Sequence, residues 1–398
     1  MAWQLNTNSK PFIPLKMLKQ ATLLLFTLGM VSCNTTQNEK TESTPQLSTK
    51  KYLNVEYAKG FTIEEKEGHK LLTVKNPWPG AEKDYKYALI EANATLENTA
   101  GFDGVVQLPL QSMVVTSTTH IPSLEMLGAL DKLTGFPNTR YVSSPAARKL
   151  IAANRIKELG KNESINTEVL MDLSPGAVVT FAVTGENKTV QTIKKTGTPV
   201  LYNADWTETS PLGKAEWIKF FGALLNKEKE ADSIFDTIKT AYETAKTLAA
   251  GQATGRPTVL SGAMYRDVWY LPQGDSWAAQ FITDAQGEYL WKNSKGTGSI
   301  SLNVESVLEK AQQAEFWIGP GQFTSKNQMA GAHQLYTQFD AFNNGRVYNF
   351  TAKKGETGGV LYYELAPNRP DLVLKDIIKI LHPGLLPQHD LYFFSILE

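Results

Sequence analysis

The spacing of apolar residues changes repeatedly along the chain, and each change predicts a new structural element. Short apolar runs at residues 61–64, 70–74 and 85–90 are broken by a turn rich in Pro and Gly at residues 77–80. Runs of this length, bounded by turn residues, are typical of strands. The pattern therefore predicts antiparallel strands that open the first part of the fold.

The pattern then becomes that of an α/β protein. Residues 105–115 supply two further strand candidates, and the polar loop 117–122 leads into a helical pattern at residues 123–130. More strands are predicted at residues 178–183 and 199–202. A strand, a loop and a helix form the repeating unit of α/β folds. Ligands of such sheets usually bind at the carboxyl ends of the strands, where these polar loops fall.

The strongest helical signal lies in the middle of the chain. Residues 212–225 are predicted to be helical, and in residues 227–250 apolar residues recur every three or four positions with charges on the other face. Gly251 ends this pattern. A helix of about 24 residues is about 36 Å long, which suits a strut between two lobes. Strand patterns then resume at residues 257–261, 316–318 and 347–350.

Two segments in the two halves of the chain resemble one another. In each, Asn, Glu and Ala occur at the same offsets, and a short helical pattern leads into a strand; the matching residues are Asn166, Glu168 and Ala177, and Asn303, Glu305 and Ala314. A helix-then-strand unit in each half predicts two similar α/β lobes. A cleft between two such lobes is a common ligand site.

Length and composition agree with two lobes. The 398 residues exceed the usual size of one hydrophobic core, and we expect an N-terminal lobe at 52–210, a linker helix region at 211–250 and a C-terminal lobe at 251–398. The 40 basic residues balance the 40 acidic ones, so the chain lacks the basic footprint of a nucleic-acid-binding protein. We expect a monomer. The 8 Trp, 15 Tyr and 17 Phe leave aromatic side chains to line a ligand surface.

The N-terminal residues predict export and a lipid anchor. An apolar run at residues 23–31 follows Lys16 and Lys19 and ends at Ser32 and Cys33. This order is typical of a secretory signal, and the run is too short to span a bilayer. A small residue before the cysteine resembles a bacterial lipoprotein signal, which implies lipid on the sulfur of Cys33.

We therefore interpret residues 1–33 as the signal, with Met17 as a candidate for the true start, and the polar residues 34–51 as a flexible tether. As the only cysteine, Cys33 cannot form an intramolecular disulfide or a Cys-based zinc cluster. The alternative, a buried structural Cys33, conflicts with the polar residues after it.

The features together resemble the helix-linked class (class III) of ABC-transporter substrate-binding proteins, which capture ferric siderophores, haem and cobalamin. The resemblance covers about residues 100–385 and rests on the two Asn-x-Glu segments, on residues 265–270 with 274–276, and on residues 369–383. It implies a binding protein, not an enzyme, that delivers an iron complex to ABC permease subunits and touches the membrane only through its lipid anchor, facing the periplasm. Residues 52–100 do not match the better-known members, and this leaves the ligand open among siderophore, haem and cobalamin.

The resemblance also implies a role for the repeated glutamates. In that family one glutamate on each lobe contacts arginines of the permease, and Glu168 and Glu305 are the matching positions. The alternative is structural, because Asn at a helix N-cap followed by Glu satisfies free amides and the helix dipole. The two roles are compatible.

Polar and aromatic residues on predicted loops are the candidate ligand contacts. Arg and Tyr suit an iron complex that is anionic or rich in oxygen donors, and Trp and Tyr faces would cover its organic part. The candidates are Thr118, Thr119, His120, Arg140, Tyr141 and Trp206 in the first lobe and Tyr265, Arg266 and Trp269 in the second. For His120, a neutral hydrogen-bonding or core role is favoured over metal coordination.

Two other functions compete with this interpretation. A carrier of free zinc or manganese needs three or four converging His, Asp or Glu side chains, and the chain has only 5 His and no His-rich loop. A hydrolase would need a catalytic site, and the sequence contains no Gly-x-Ser-x-Gly, His-Glu-x-x-His or P-loop motif. The enzyme alternative that stays open is a catalytic Ser/His/Asp triad assembled from residues far apart in the sequence. We expect no catalytic residues, cofactor or bound metal.

Overall fold

The computed structural model describes residues 54–186 and 188–398. The predicted signal and tether lie outside the described residues. A four-stranded sheet comes first, with strands in spatial order along the chain: β1 (Phe61–Lys66), β2 (His69–Val74), β3 (Tyr85–Glu91) and β4 (Gly104–Leu108). The first three strands are antiparallel, as predicted, and β4 joins β3 in parallel. Gly68 occupies the tight β1–β2 turn at a φ of 77°, a conformation that favours glycine.

A five-stranded parallel sheet forms the centre of the N-terminal lobe. Its strands, in chain order, are β5 (Met113–Val115), β6 (Leu133–Phe136), β7 (Lys157–Glu158), β10 (Ala177–Thr180) and β11 (Val200–Tyr202), with a small hairpin of β8 (Gly160–Lys161) and β9 (Ser164–Ile165) between them. The spatial order is β11-β10-β5-β6-β7, and every neighbouring pair is parallel. The central strands β5 and β10 are buried along their whole length, which explains their continuous apolar runs.

Helices connect these strands: α1 (His120–Met126), α2 (Pro145–Ala152), α3 (Thr167–Leu173) and α4 (Lys188–Lys195), with 3₁₀ turns at Leu130–Lys132, Thr139–Tyr141 and Asp205–Thr207. Helix α1 begins three residues earlier and ends four residues earlier than the predicted helix 123–130. Pro122 lies inside its first turn, where proline is tolerated because the N–H groups there have no acceptor within the helix.

Three helices link the lobes: α5 (Pro211–Glu216), α6 (Ile218–Leu224) and α7 (Glu228–Gln252). The predicted helix 212–225 is thus divided at Trp217, whereas the predicted long helix is confirmed as the 25-residue α7. The apolar face of α7 serves two cores. Phe235 packs into the hydrophobic cluster of the N-terminal lobe, and Tyr242 packs into the cluster of the C-terminal lobe.

The C-terminal lobe repeats the α/β arrangement. Its strands are β12 (Thr258–Ser261), β13 (Ala263–Tyr265), β14 (Val268–Pro272), β15 (Glu288–Tyr289), β16 (Ser299–Leu302), β17 (Phe316–Ile318), β18 (Val347–Asn349) and β19 (Ser395–Ile396). Its helices are α8 (Trp277–Asp284), α9 (Val304–Ala311), α10 (Lys326–Ala332), α11 (Asp340–Asn343), α12 (Leu361–Leu365) and α13 (Pro370–Leu381), with a 3₁₀ turn at Gln334–Gln338.

The main sheet of this lobe has the order β15-β12-β17-β18-β19, with only β19 antiparallel, and β13-β14-β16 form a separate antiparallel sheet. The predicted α/β fold with two lobes and a long linker helix is therefore confirmed. Within the described part of the chain, every helix is too short or too polar to cross a bilayer.

Candidate ligand-binding site

The carboxyl ends of four parallel strands meet at one edge of the N-terminal lobe. The loops after β5, β6, β10 and β11 line two adjoining cavities there, each of about 340 Å³, which share Ser117 and Phe181. The second lobe supplies the opposite wall through Trp277 of α8 and through Val360, Tyr363 and other residues around α12. We call this space the interlobe cleft. It lies where ligands of parallel sheets are expected.

Aromatic rings dominate the first cavity. Tyr141 and Tyr363 line it from opposite lobes, and about half of each side chain is exposed (49% and 48%). Arg140 supports Tyr141, because its Nη2 donates a hydrogen bond to Tyr141 Oη at 2.5 Å and its guanidinium lies 4.6 Å from the ring centroid. Gln322 Nε2 donates to Tyr363 Oη at 3.0 Å. This cavity thus offers flat apolar faces edged by polar groups.

The second cavity has a charged floor. Thr119 Oγ1 donates to Asp205 Oδ2 at 2.6 Å, and Lys214 Nζ donates to the backbone oxygens of Asp205 (2.9 Å) and Trp206 (3.1 Å). Lys214 Nζ also lies 5.2 Å from the Trp277 ring centroid. Burial lowers the pKa of Lys214, and Asp205 is the largest of the nearby charges that oppose this. Trp206, 38% exposed, forms the rim.

Four predicted contacts line the cleft: Thr118, Thr119, Tyr141 and Trp206. Arg140 adjoins it through Tyr141. Tyr265 and Arg266 lie together at the exposed β13–β14 turn, 5.5 Å apart as a cation–π pair, and line neither cavity.

Two predicted contacts are wrong. Trp269 is fully buried, stacks on Trp317 at 5.3 Å and donates its Nε1 hydrogen to Ser261 O at 3.1 Å. His120 is also fully buried, 5.6 Å from the Phe221 ring, and burial lowers its pKa to about 4. Neither ring nitrogen of His120 has a hydrogen-bond partner among the described residues. His120 is therefore a neutral core histidine.

Several cleft residues escaped sequence reasoning, namely Phe181, Asp205, Lys214, Trp277 and Tyr363. Asp205 had a local signal, since it lies three positions after the end of strand β11 and neighbours Trp206. Tyr363 had none, because its position opposite Tyr141 depends on how the two lobes pack.

The repeated Asn residues cap the helices α3 and α9. Asn166 Oδ1 accepts from the N–H groups of Glu168 (3.1 Å) and Val169 (3.2 Å), and Asn303 Oδ1 accepts from Ser306 N–H at 2.8 Å. The capping interpretation is confirmed for both residues. Glu168 and Glu305 lie in the first turns, exposed, and their carboxylates form no ion pair within residues 54–186 and 188–398. Their docking role stays a prediction.

Comparisons with known proteins agree with this fold. The chain matches the family model described as periplasmic binding protein over residues 113–353, which is more than half of its length, and it belongs to that family. The family is one of binding proteins, so the chain is a binding protein and not an enzyme. An uncharacterized lipoprotein of Methanocaldococcus jannaschii is 26% identical over 300 residues, covering 73% of this chain and 69% of that protein.

Solved structures show the same fold at low identity. A possible iron-binding (periplasmic solute-binding) protein of Staphylococcus epidermidis superimposes with a TM-score of 0.52 at 14% identity, covering 69% of this chain and 99% of that one. A periplasmic haem-binding protein of Vibrio cholerae gives a TM-score of 0.51 at 15% identity, covering 66% of this chain and 99% of that one. The family match begins at β5, so the sheet β1–β4 precedes it.

Proposed function

We propose that this periplasmic binding protein is the substrate-binding component of an ABC importer and that it captures an iron complex, a ferric siderophore or a similar chelate, in the interlobe cleft. The observation that carries the proposal is the Arg140–Tyr141 pair at the cleft, faced by Tyr363. The similarity to a possible iron-binding protein of S. epidermidis supports the same ligand class.

Charge and shape both favour an oxygen-rich chelate. The Arg140 guanidinium is exposed and has no carboxylate partner among the described residues, so it is available to anionic oxygen atoms. The half-exposed faces of Tyr141 and Tyr363 would cover an organic scaffold. Two joined cavities of about 340 Å³ each fall within the size range of small-molecule sites.

Haem or cobalamin is the second candidate. Tyr141 and Tyr363 each present a phenol at the cleft, and a tyrosine oxygen can serve as an axial ligand to haem iron. The structural similarity to a haem-binding protein of V. cholerae supports this alternative.

Titration of the purified full-length protein with an anionic ferric siderophore, a neutral ferric siderophore, haem and cobalamin would test the proposal. Trp206 and Trp277 line the cleft, so quenching of tryptophan fluorescence reports binding. We expect Arg140→Gln to weaken the anionic chelate about tenfold, a loss of about 1.4 kcal/mol, and the neutral chelate by less.

Arg155→Gln is the matched control, because Arg155 is exposed on the same lobe and, unlike Arg140, has no sequence neighbour that lines either cleft cavity. Saturable binding of haem or cobalamin with no binding of either iron chelate would select the second candidate. Failure of all four ligands to bind would refute the proposal.

The same proposal includes anchoring and delivery. We propose export with a lipid on Cys33 that holds the protein at the membrane, facing the periplasm, which the similarity to a lipoprotein of M. jannaschii supports. We also propose that Glu168 and Glu305 contact the permease, one from each lobe. Their exposure at the starts of α3 and α9 supports that role.

A further inference from the structure

Another cavity, which we call the basic cavity, crosses the boundary between the lobes and is separate from the interlobe cleft. It has a volume of about 750 Å³ and is lined by α2 of the N-terminal lobe and by residues 352–356 of the C-terminal lobe, with Leu361 and Tyr392. The lobes touch between this cavity and the cleft. Val360 lines the cleft, whereas the next residue, Leu361, lines the basic cavity.

Close contacts between the lobes form a continuous wall between the cleft and the basic cavity. Thr357 Oγ1 donates to Arg140 O at 2.7 Å, and Glu364 accepts hydrogen bonds from the N–H groups of Ser143 (2.6 Å) and Ser144 (2.8 Å). A Cβ on Gly359 would lie 2.1 Å from Tyr141 O, so only glycine permits this approach. The basic cavity is therefore separated from the cleft by its own walls.

Positive charge is concentrated in this cavity. Arg148, Lys149, Lys353 and Lys354 line it, against the single carboxylate of Glu356. None of the four cations forms an ion pair with a carboxylate in the part of the chain that the structure describes. In a chain with 40 basic and 40 acidic residues, such an uncompensated group is unexpected, because like charges repel one another.

Two of these cations are held in place by backbone oxygens. Arg148 Nη1 donates to Thr139 O at 2.7 Å, and its Nε is buried without a hydrogen-bond partner in the described residues. Lys353 Nζ donates to the backbone oxygens of Leu391 and Tyr392. Oxygen acceptors of this kind orient the side chains without cancelling their charge.

We propose that this cavity binds a small polyanion, a molecule with two or more carboxylate or phosphate groups, and that the bound anion bridges the lobes. Arg148 and Lys149 come from one lobe and Lys353 and Lys354 from the other, so one anionic group can meet each pair. A guanidinium offers paired donors to either group. A ligand held by both lobes also stabilises their packing, because it binds the assembled state better than the unfolded one.

Calorimetric titration of the full-length protein at constant ionic strength tests the proposal, with citrate, pyrophosphate and inorganic phosphate as the probes. We expect one saturable site for citrate and for pyrophosphate, and at least tenfold weaker binding of phosphate, which carries only one anionic group. Lys149→Gln and Lys354→Gln should each weaken pyrophosphate severalfold, and together at least tenfold. Both lysines are exposed, so the variants should unfold at the wild-type temperature without the anion.

Lys161→Gln with Lys295→Gln is the matched control, since it removes one exposed lysine from each lobe away from the cavity. It should retain wild-type affinity. Absence of saturable binding, an equal loss in the control pair, or an effect of only one of the two cavity lysines would each overturn the bridging site.

Discussion

The buried carboxyl group of Glu364, which joins the two lobes, makes the stability of the protein depend on pH. It is 2% exposed, accepts two backbone hydrogen bonds from the other lobe, and burial raises its pKa to about 7, with a smaller contribution from Glu125. The folded state therefore binds this proton more tightly than the unfolded chain does. Its contribution to stability is full below a pH of about 4.5 and is lost as the pH rises through 7.

We expect Glu364→Gln to remove this dependence. The free energy of unfolding of the wild type relative to the variant should fall by up to about 3 kcal/mol between pH 4.5 and pH 8, the size that a pKa shift of this order implies. Urea unfolding at several pH values measures it. The exposed Glu356→Gln serves as the control, and parallel pH profiles of wild type and Glu364→Gln would contradict the assignment.

His120 has the opposite effect on the pH dependence of stability. The contribution of Glu364 must therefore be measured as a difference between the wild type and the Glu364→Gln variant. Burial holds the pKa of His120 near 4, so the unfolded chain takes up this proton first as the pH falls. Stability from His120 is present above about pH 6.5 and is lost as the pH falls towards 4. The pH profile of wild-type stability contains the contributions of both residues. The difference between the wild type and Glu364→Gln contains that of Glu364 alone.

Among the elements, residues 54–60 form a strap that two buried glutamates hold against the linker helices. Glu216, fully buried in α5, accepts hydrogen bonds from the N–H groups of Glu56 (3.0 Å), Tyr57 (2.6 Å) and Ala58 (2.9 Å). Its carboxylate also lies 3.1 Å from Lys219 Nζ. Glu208 accepts hydrogen bonds from the N–H groups of Lys59 at 2.9 Å and Gly60 at 2.8 Å. The strap joins the linker helices through charge-assisted bonds.

Glu216→Ala should destabilise the protein by about 3–5 kcal/mol, because it leaves buried N–H groups without their acceptor and removes one of the two carboxylates that pair with the Lys219 ammonium. Glu65→Ala, at an exposed position of β1, should change stability by less than about 0.5 kcal/mol. Denaturant unfolding measures both values. Proteolysis within residues 54–60 should also become faster in Glu216→Ala, and equal stability of the two variants would show that the strap adds nothing.

At the scale of the whole molecule, the proposed delivery to a permease uses both lobes, because Glu168 and Glu305 provide one exposed carboxylate on each. Single exposed ion pairs contribute about 0–1 kcal/mol, so one alanine substitution should only reduce uptake. Replacing both by lysine would set like charges against the permease arginines that the proposed docking requires, and should stop uptake. Ligand affinity should stay within a few-fold of wild type, since neither residue lines the cleft.

Uptake by cells, paired with titration of the purified variant, separates these effects. Glu163→Lys with Glu309→Lys is the matched control, because both residues are exposed and lie within five positions of the docking glutamates. Normal uptake by the Glu168/Glu305 variant would remove the docking role. A parallel loss of ligand binding would instead assign the two glutamates to the cleft or the fold.

What the sequence determined by itself was local. The 25-residue helix α7 and the Asn166 and Asn303 caps were predicted correctly, because helical periodicity and capping depend on neighbours within a few positions. Strand β14 was missed, since Trp269 was placed on a predicted loop. Even a correct strand prediction could not show that Trp269 faces the core and Tyr270 faces solvent, because alternation gives two faces without saying which one is covered.

The cleft and its boundary were decided by tertiary packing alone. Tyr141 and Tyr363 line one cavity, and Ser143 N–H donates to Glu364, although each pair is more than two hundred residues apart in the chain; the last pair has a sequence separation of 221. The basic cavity likewise takes its cations from α2 and from residues 352–356. Contacts between distant segments leave no periodic signal in the sequence, because they depend on how the two folded lobes come together.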